Sequence, residues 1–254
     1  MSLNPTERFS SRVADYVRYR PSYPPGIVPL LARECGLTSE SVIADVASGT
    51  GLLARLFSES GYRVIGVEPN AEMRAAGDVF LAAFPKFRSV DGRAEQTGLP
   101  DTSVDLITVG QAFHWFDAAA TRREFRRILR PPRQVALIWN ERIVPTSGFL
   151  KGYEDMLHRY VPDYGKIDHR QVDAQRIAAF FGHSDWTLAV FENAQEFDLE
   201  GVSGRLLSSS YAPDGSSPNY QPMLDELERI FAAHNLNGRV SFLYDTKVYY
   251  GELP

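Results

Sequence analysis

The chain has 254 residues, 44% of them hydrophobic, and a formal net charge of −5, enough for one large globular domain but a poor match for a protein that grips nucleic acid mainly through its phosphates. No apolar run approaches the ~18 residues of a membrane-spanning helix. The single Cys35 excludes an intramolecular disulfide and any multi-cysteine zinc site, and the five histidines have no HxH or HExxH spacing, so no protein-held metal is expected.

The opening "MSLNPTERF" lacks a basic region followed by an apolar one, so a secretory signal is not expected and the cytoplasm is the default compartment. Phe9, Val13, Tyr16, Val17 and Arg20 recur at helical spacing and predict a helix over 8–20, which "RPSYPPG" breaks with its prolines at 21, 24 and 25. A second helix is expected over 26–35. Strands and helices then alternate: "VIADV", a helix over 51–60, "RVIGVE", a helix over 70–83, "FRSV", "VDLITVG", a helix over 117–130 and "QVALIW". That alternation implies βαβ units and a mainly parallel sheet.

In "TRREFRRILR", Phe125, Ile128 and Leu129 would face a core and leave Arg122, Arg123, Arg126, Arg127 and Arg130 in water; a patch for an anionic partner is the alternative. Beyond residue 141 the pattern changes. Phe149, Tyr153, Met156, Leu157 and Tyr160 mark an amphipathic helix, another is expected over 170–181, and "WTLAVFENAQEFDLE" (186–200) reads as an interrupted strand. Met223, Leu224, Leu227, Ile230 and Phe231 belong to a later helix. In "VSFLYDTKVYY" the residues Val240, Phe242, Tyr244, Thr246, Val248 and Tyr250 share one face of a strand. The expectation is a single α/β domain: N-terminal helices over 8–35, a core over 40–141, a helical cap over 142–184, and a part over 185–254 whose late strands finish the sheet.

"DVASGTGLLA" (45–54) carries the chemistry. Gly49, Thr50, Gly51 and Ala54 fit G-x-G-x-x-A, the dinucleotide fingerprint, and Glu68 ends the next strand where a ribose-binding acid belongs, so a nicotinamide cofactor is a live alternative. Asp45 argues against it. A carboxylate at the end of that strand repels a pyrophosphate by a few kcal/mol in a partly dry site. A cofactor with a sulfonium, an ammonium and no phosphate suits it, while small residues at 47, 49 and 51 admit close backbone approach. The other role for Asp45 is a turn or capping acid.

"VIADVASGTG", "VIGVEPNAEM", "GRAEQTGLPDTSVDLITVGQAFHWFD" and "RRILRPPRQVALIWN" resemble the successive motifs of class I S-adenosylmethionine-dependent methyltransferases of the small-molecule type 11 branch. "RYRPSYP", "AFHWFD", "SSSYAP" and "DTKVYYG" resemble a narrower group that includes trans-aconitate-methyltransferase-like proteins. The resemblance implies a Rossmann-like fold, a mainly parallel seven-stranded sheet with one antiparallel late strand, in which 8–35 are lid helices and 40–141 the cofactor-binding core. It also implies S-adenosyl-L-methionine as cofactor, with S-adenosyl-L-homocysteine as product. It places Asp45, Ala47, Ser48, Gly49, Thr50 and Gly51 around the methionine end, Glu68 on the ribose, and Pro69, Asn70 and Met73 beside the adenine. Ala47 replaces the first glycine of D-x-G-x-G-x-G, a mild departure if its φ is negative. Arg93 stands where the family carries an adenine-binding aspartate; a guanidinium accepts no hydrogen bond, so that contact falls to backbone near Ala94 and Glu95. "RPPRQ" departs from the usual K-P-G-G turn. Gly110 and Gln111 would close over the methionine end.

Tyr16, Tyr19 and Arg20 are placed at the ligand carboxylate, with burial in the core as the alternative for Tyr16; the helix would then be a lid ordered by cofactor. Tyr19, His114, Trp115, Trp139, Asn140 and Arg142 are the acceptor-side candidates. His114 is a general base, a pocket-lining group or a structural one. Arg142 either orients an anionic acceptor or pairs with an acid of the cap, and Phe149, Tyr153, Tyr160 and Tyr164 are either pocket or core. The expected partner is a small-molecule methyl acceptor, with no nucleic acid and no membrane, on a monomer or homodimer. Alternatives are a cofactor-binding protein without catalysis, an NAD-dependent oxidoreductase, and a methyltransferase acting on nucleic acid or protein.

Overall fold

A central strand buried on both faces needs an unbroken apolar run, and "VIADV" supplies one: β1 (Val42–Val46) is buried at every position and lies between β2 (Arg63–Val67) and β4 (Val104–Gly110), parallel to both. The computed structural model describes residues 18–143, 148–162, 164, 174–209 and 211–254. The remaining strands are β3 (Phe87–Val90), β5 (Leu129–Arg142), β6 (Thr187–Phe197) and β7 (Val240–Glu252). They form one seven-stranded sheet in the order β3-β2-β1-β4-β5-β7-β6, with β7 antiparallel to both of its neighbours. This is the mainly parallel sheet that the alternation implied, with the antiparallel late strand that the resemblance implied.

Helices cover both faces. Ile43, Leu106 and Ile138 point to one side and pack against α1 (Ile27–Glu34) and α2 (Leu52–Glu59). Ala44, Ile107 and Leu137 point to the other and meet α4 (Ala118–Ile128), through Phe125 and Ile128, and α6 (Ala174–Phe181), through Ile177 and Phe180. α3 (Ala71–Phe80) is capped by Asn70, whose Oδ1 accepts from the amides of Glu72 and Met73, both at 3.0 Å. Of the arginines on and after α4, Arg127 pairs with Glu124 and Asp101, Arg130 with Asp105, and Arg122 donates to the Phe181 carbonyl.

β6 and β7 run past the end of β5 and carry a third cluster. Phe197, Val240, Phe242 and Tyr244 pack there against α5 (Gly148–Tyr160), α7 (Leu199–Leu207) and α8 (Tyr220–His234). Residues 142–184, expected as one helical insertion, therefore fall in two neighbourhoods: α5 in this cap and α6 on the sheet.

The expected strand over 186–200 stops at Phe197, and α7 replaces its end. Asp198 accepts from the Gly201 amide at 2.8 Å, and Val202 and Leu206, one helical turn apart, are buried. Gly201 and Gly204 hid this helix, since glycine disfavours one. Gly204 is needed because the Tyr19 ring lies where its Cβ would stand. The expected helix over 8–20 lies outside the described residues up to 17, and Tyr16 with it; Arg18 and Tyr19 are helical.

Candidate active site

The turn after β1 is held by backbone geometry only glycine adopts freely. Gly49 and Gly51 have φ of 57° and 84°, and a Cβ on Gly51 would stand 2.7 Å from Leu81 Cδ1. Ala47 is also left-handed, at φ 57°. This corrects the expectation of a harmless alanine: an L side chain in that region costs about 1–2 kcal/mol.

Two buried acids face this turn. Glu68 Oε2 accepts from the Gly49 amide at 2.9 Å and Oε1 from the Asn70 amide at 2.8 Å. Each oxygen keeps a second lone pair for a hydroxyl donor. Burial raises its pKa above the usual carboxylate value despite those two bonds. Asp45 is 1% exposed; Oδ1 accepts from Thr108 Oγ1 at 3.0 Å, and Oδ2 has no hydrogen-bond partner among the described residues. Burial pushes its pKa up to about 7, against the Thr108 bond and the pull of the Ala54 backbone amide, and the nearby Glu68 adds to the rise.

Around them, Ser48 donates its amide to Val67 and Thr50 is buried. Met73 is buried with its sulfur facing Gly49, and Pro69 leads into the Asn70 cap. In the loop after β3, Arg93 and Gln96 exchange backbone hydrogen bonds, Ala94 is buried, and Glu95 Oε1 accepts from the Asp117 amide. The Arg93 side chain itself is exposed.

The far wall follows β4. Gly110 lies opposite Ile138, and Gln111 turns away at a left-handed φ of 60°, its amide bonded to the Ile138 carbonyl and its side chain to the Asn140 carbonyl. Strained backbone of this kind gathers at functional sites. Tyr23, which the sequence did not single out, covers Gly110: a Cβ there would stand 2.5 Å from its hydroxyl. The following 3₁₀ turn carries His114 and Trp115, their rings tilted at 45° with centroids 4.6 Å apart, and Arg176 donates to the His114 and Phe116 carbonyls.

Two acceptor-side expectations change. Trp139 is in the core, edge-on to Phe113 and Tyr249, because alternation along β5 turns it to the α6 face. Asn140 is occupied as a clamp: Oδ1 accepts from Thr246 Oγ1 at 2.5 Å and Asn193 Nδ2 at 3.1 Å, while Nδ2 donates to the Ser22 carbonyl at 3.2 Å. The segment 18–23 is thus tied across the sheet edge, with Tyr19 packed in the cap cluster and Arg20 donating to the Ser208 carbonyl at 3.1 Å. Arg142 forms a salt bridge with buried Glu154 and donates to Tyr164 Oη at 3.0 Å.

A family described as methyltransferase domain matches residues 44–136. An uncharacterized methyltransferase-like protein of Schizosaccharomyces pombe, C25B8.10, is 33% identical over 96% of this chain and 94% of its own length. The uncharacterized methyltransferase Rv3342 of Mycobacterium tuberculosis is 40% identical over 53% of this chain and 52% of its length, so the match spans about half of that relative. Among solved structures, a type II methyltransferase candidate from Anaeromyxobacter dehalogenans superposes with TM-score 0.66 at 20% identity, covering 92% of this chain and 98% of that one. An S-adenosylmethionine-dependent methyltransferase from Geobacter sulfurreducens, in complex with S-adenosyl-L-homocysteine, superposes with TM-score 0.53 at 15% identity, covering 98% and 97%. The chain belongs to the class I S-adenosylmethionine-dependent methyltransferase family.

Proposed function

We propose that the protein transfers a methyl group from S-adenosyl-L-methionine to a carboxylate or hydroxyl oxygen of a small organic acceptor, as in the trans-aconitate-methyltransferase-like branch. The observation that carries the cofactor assignment is Asp45: a buried carboxylate with one oxygen lacking a partner among the described residues, at the strand end where a pyrophosphate would otherwise sit. Such a group disfavours a diphosphate and favours a cation. Glu68, fixed by the Gly49 and Asn70 amides, has acceptor capacity left for the two ribose hydroxyls. Met73 and the backbone of Ala94 and Glu95 border the adenine side; Gly110 and Gln111 close the methionine end, with Tyr23 over Gly110.

When bound, S-adenosyl-L-methionine supplies a methyl group on a sulfonium sulfur, which the acceptor displaces in line to leave S-adenosyl-L-homocysteine. The protein's own contribution is to align the acceptor and exclude water. His114 follows Gln111 on the loop that borders the acceptor, where it takes a proton from a hydroxyl acceptor or shapes the pocket; a carboxylate acceptor needs no base.

The test is a panel of small carboxylic acids and phenols incubated with methyl-labelled cofactor, beside a His114→Ala variant. Labelled product supports the reading. Cofactor binding without turnover of any acceptor leaves a binding protein, and preference for NAD in a calorimetric titration overturns the cofactor assignment. Undiminished turnover of carboxylic acids by His114→Ala rules out an obligatory base there.

A further inference from the structure

Beyond the crevice lies a second group of buried charges, of opposite sign. Ile138 stands opposite Gly110 and β5 continues to Arg142, about 13 Å further at ~3.3 Å per residue. Arg142 and Arg205 of α7 both flank one ring pair: the Arg142 guanidinium lies 5.0 Å from the Tyr153 ring centroid, and that of Arg205 lies 5.9 Å from Phe242, which packs edge-on against Tyr153. Arg205 is 7% exposed, and the Arg142 side chain 12%.

The charges here do not balance. Arg142 has Glu154 as its ion-pair partner, whereas Arg205 has no ion pair among the described residues and donates Nη1 to Ser209 Oγ at 3.1 Å. Arg142 Nη1, Arg205 Nε and Tyr153 Oη are buried without a hydrogen-bond partner among the described residues. A buried guanidinium N–H left unmade costs more than a neutral group, and all three atoms are donors. Burial raises the pKa of Tyr211, yet Arg205 and Arg142, with a Ser209 hydrogen bond and Arg20 behind them, pull the phenol below its ordinary value, in keeping with a positive field. The segment 18–23 joins this cluster to the crevice, since Arg20 bonds the Ser208 carbonyl at one end and Tyr23 covers Gly110 at the other.

We infer that Arg142, Arg205 and Tyr153 bind a carboxylate of the methyl acceptor, and that this carboxylate anchors the molecule and is not itself the methylated group. The inference rests on the methyltransferase reading of the crevice. One unit of uncompensated buried charge suits a carboxylate better than a phosphate dianion, and planar guanidinium forks match its two oxygens. A carboxylate held by both arginines has its lone pairs engaged, so the attacking atom is another group of the same molecule. The acceptor is then at least bifunctional.

Calorimetry with S-adenosyl-L-homocysteine present, using glutarate and 4-hydroxybenzoate as probes, with their amides and inorganic phosphate as controls, tests the site. The expected result is saturable binding of one or both acids, at least about tenfold tighter than its amide and tighter than phosphate. Tyr153→Phe, which keeps the ring, should weaken that binding about tenfold, and Arg205→Gln should weaken it further. Acids no better than amides, phosphate preferred, or Tyr153→Phe binding as tightly as the parent protein would each overturn the inference. Titration with S-adenosyl-L-homocysteine alone separates the two readings. If it binds while the acids do not, the anchor is wrong and the cofactor assignment stands; if it fails to bind, the cofactor assignment is wrong whatever the acids do.

Discussion

At the ends of β1 and β2 the two buried charges are carboxylates, Asp45 and Glu68, set among backbone amides; beyond the end of β5 the buried excess is cationic, Arg142 and Arg205 set among tyrosine rings. The first region comes from some 25 consecutive residues on adjoining strands, the second from α5, α7, the end of β5 and the loop after α7. Each is left with charge that its proposed ligand would offset: Asp45 has no ion-pair partner among the described residues, and Glu154 offsets only Arg142 of the two arginines. A single sheet edge can thus sort two ligands by charge before shape acts.

The most damaging change to the acidic region is Glu68→Ala. It removes the acceptor for the Gly49 and Asn70 amides and for the proposed ribose contact together. Calorimetry should show affinity for S-adenosyl-L-methionine falling about a hundredfold, the upper end for hydrogen bonds to a charged group, with acid binding at Arg142 and Arg205 unchanged. Equal loss at both regions would break the comparison.

Glu124 sharpens it, being a buried acid with every partner in place. It accepts from the Thr97 amide and hydroxyl and from Arg127. Burial raises its pKa, but the bonds from Arg127 and Thr97 win and hold it at about 2. The folded value lies below the unfolded 4.5, so the stabilisation is complete above pH 4.5 and lost as pH falls through about 2. Glu124→Gln should lower unfolding stability by about 2 kcal/mol at neutral pH, allowing for solvent on Arg127. Chemical denaturation at decreasing pH should find that gap closing below 4.5. A gap independent of pH would show that packing, not charge, holds this loop.

Asp45 has the opposite sign. Its folded value of about 7 exceeds the unfolded 3.8, so the ligand-free fold holds a proton there that the unfolded chain releases between those values, and stability falls as pH rises across that window. A cation in the crevice favours the ionised form. Affinity for S-adenosyl-L-methionine should therefore be level above about pH 8 and fall about tenfold from that plateau to pH 6. Asp45→Asn should bind weakly with no such slope. A slope that survives the substitution would move the titration elsewhere.

Much of the first region was legible because its geometry is local. Small residues between an apolar run and a helix, with an acid at the next strand end, name a turn whatever the rest of the chain does. The mainly parallel sheet followed from alternation with helices, and the last strand from the clean period of Val240 to Tyr250. The arginine cluster was not legible because no window contains it: Arg142 and Arg205 reach the same ring pair only once α5, α7 and β7 pack together. Trp139 was misplaced by one step of strand alternation, and Asn140 is spent on a chain segment more than a hundred residues away. Apolar residues 202 and 206 flanking Arg205 were the available sign of α7, masked by its glycines.

The smallest effect sits inside the legible motif. Ala47 holds a left-handed φ of 57° at the position where the family carries glycine. An L residue there is strained by about 1–2 kcal/mol, while glycine gives back part of that gain through its freer unfolded chain. Ala47→Gly should therefore raise unfolding stability by about 1 kcal/mol without altering the slope of the denaturation curve. Affinity for S-adenosyl-L-methionine should change little, because the strain lies in the turn and the charges on Asp45 and Glu68 remain. If stability rises while affinity falls, the alanine methyl is itself part of the cofactor contact and the acidic region selects by shape as well as by charge.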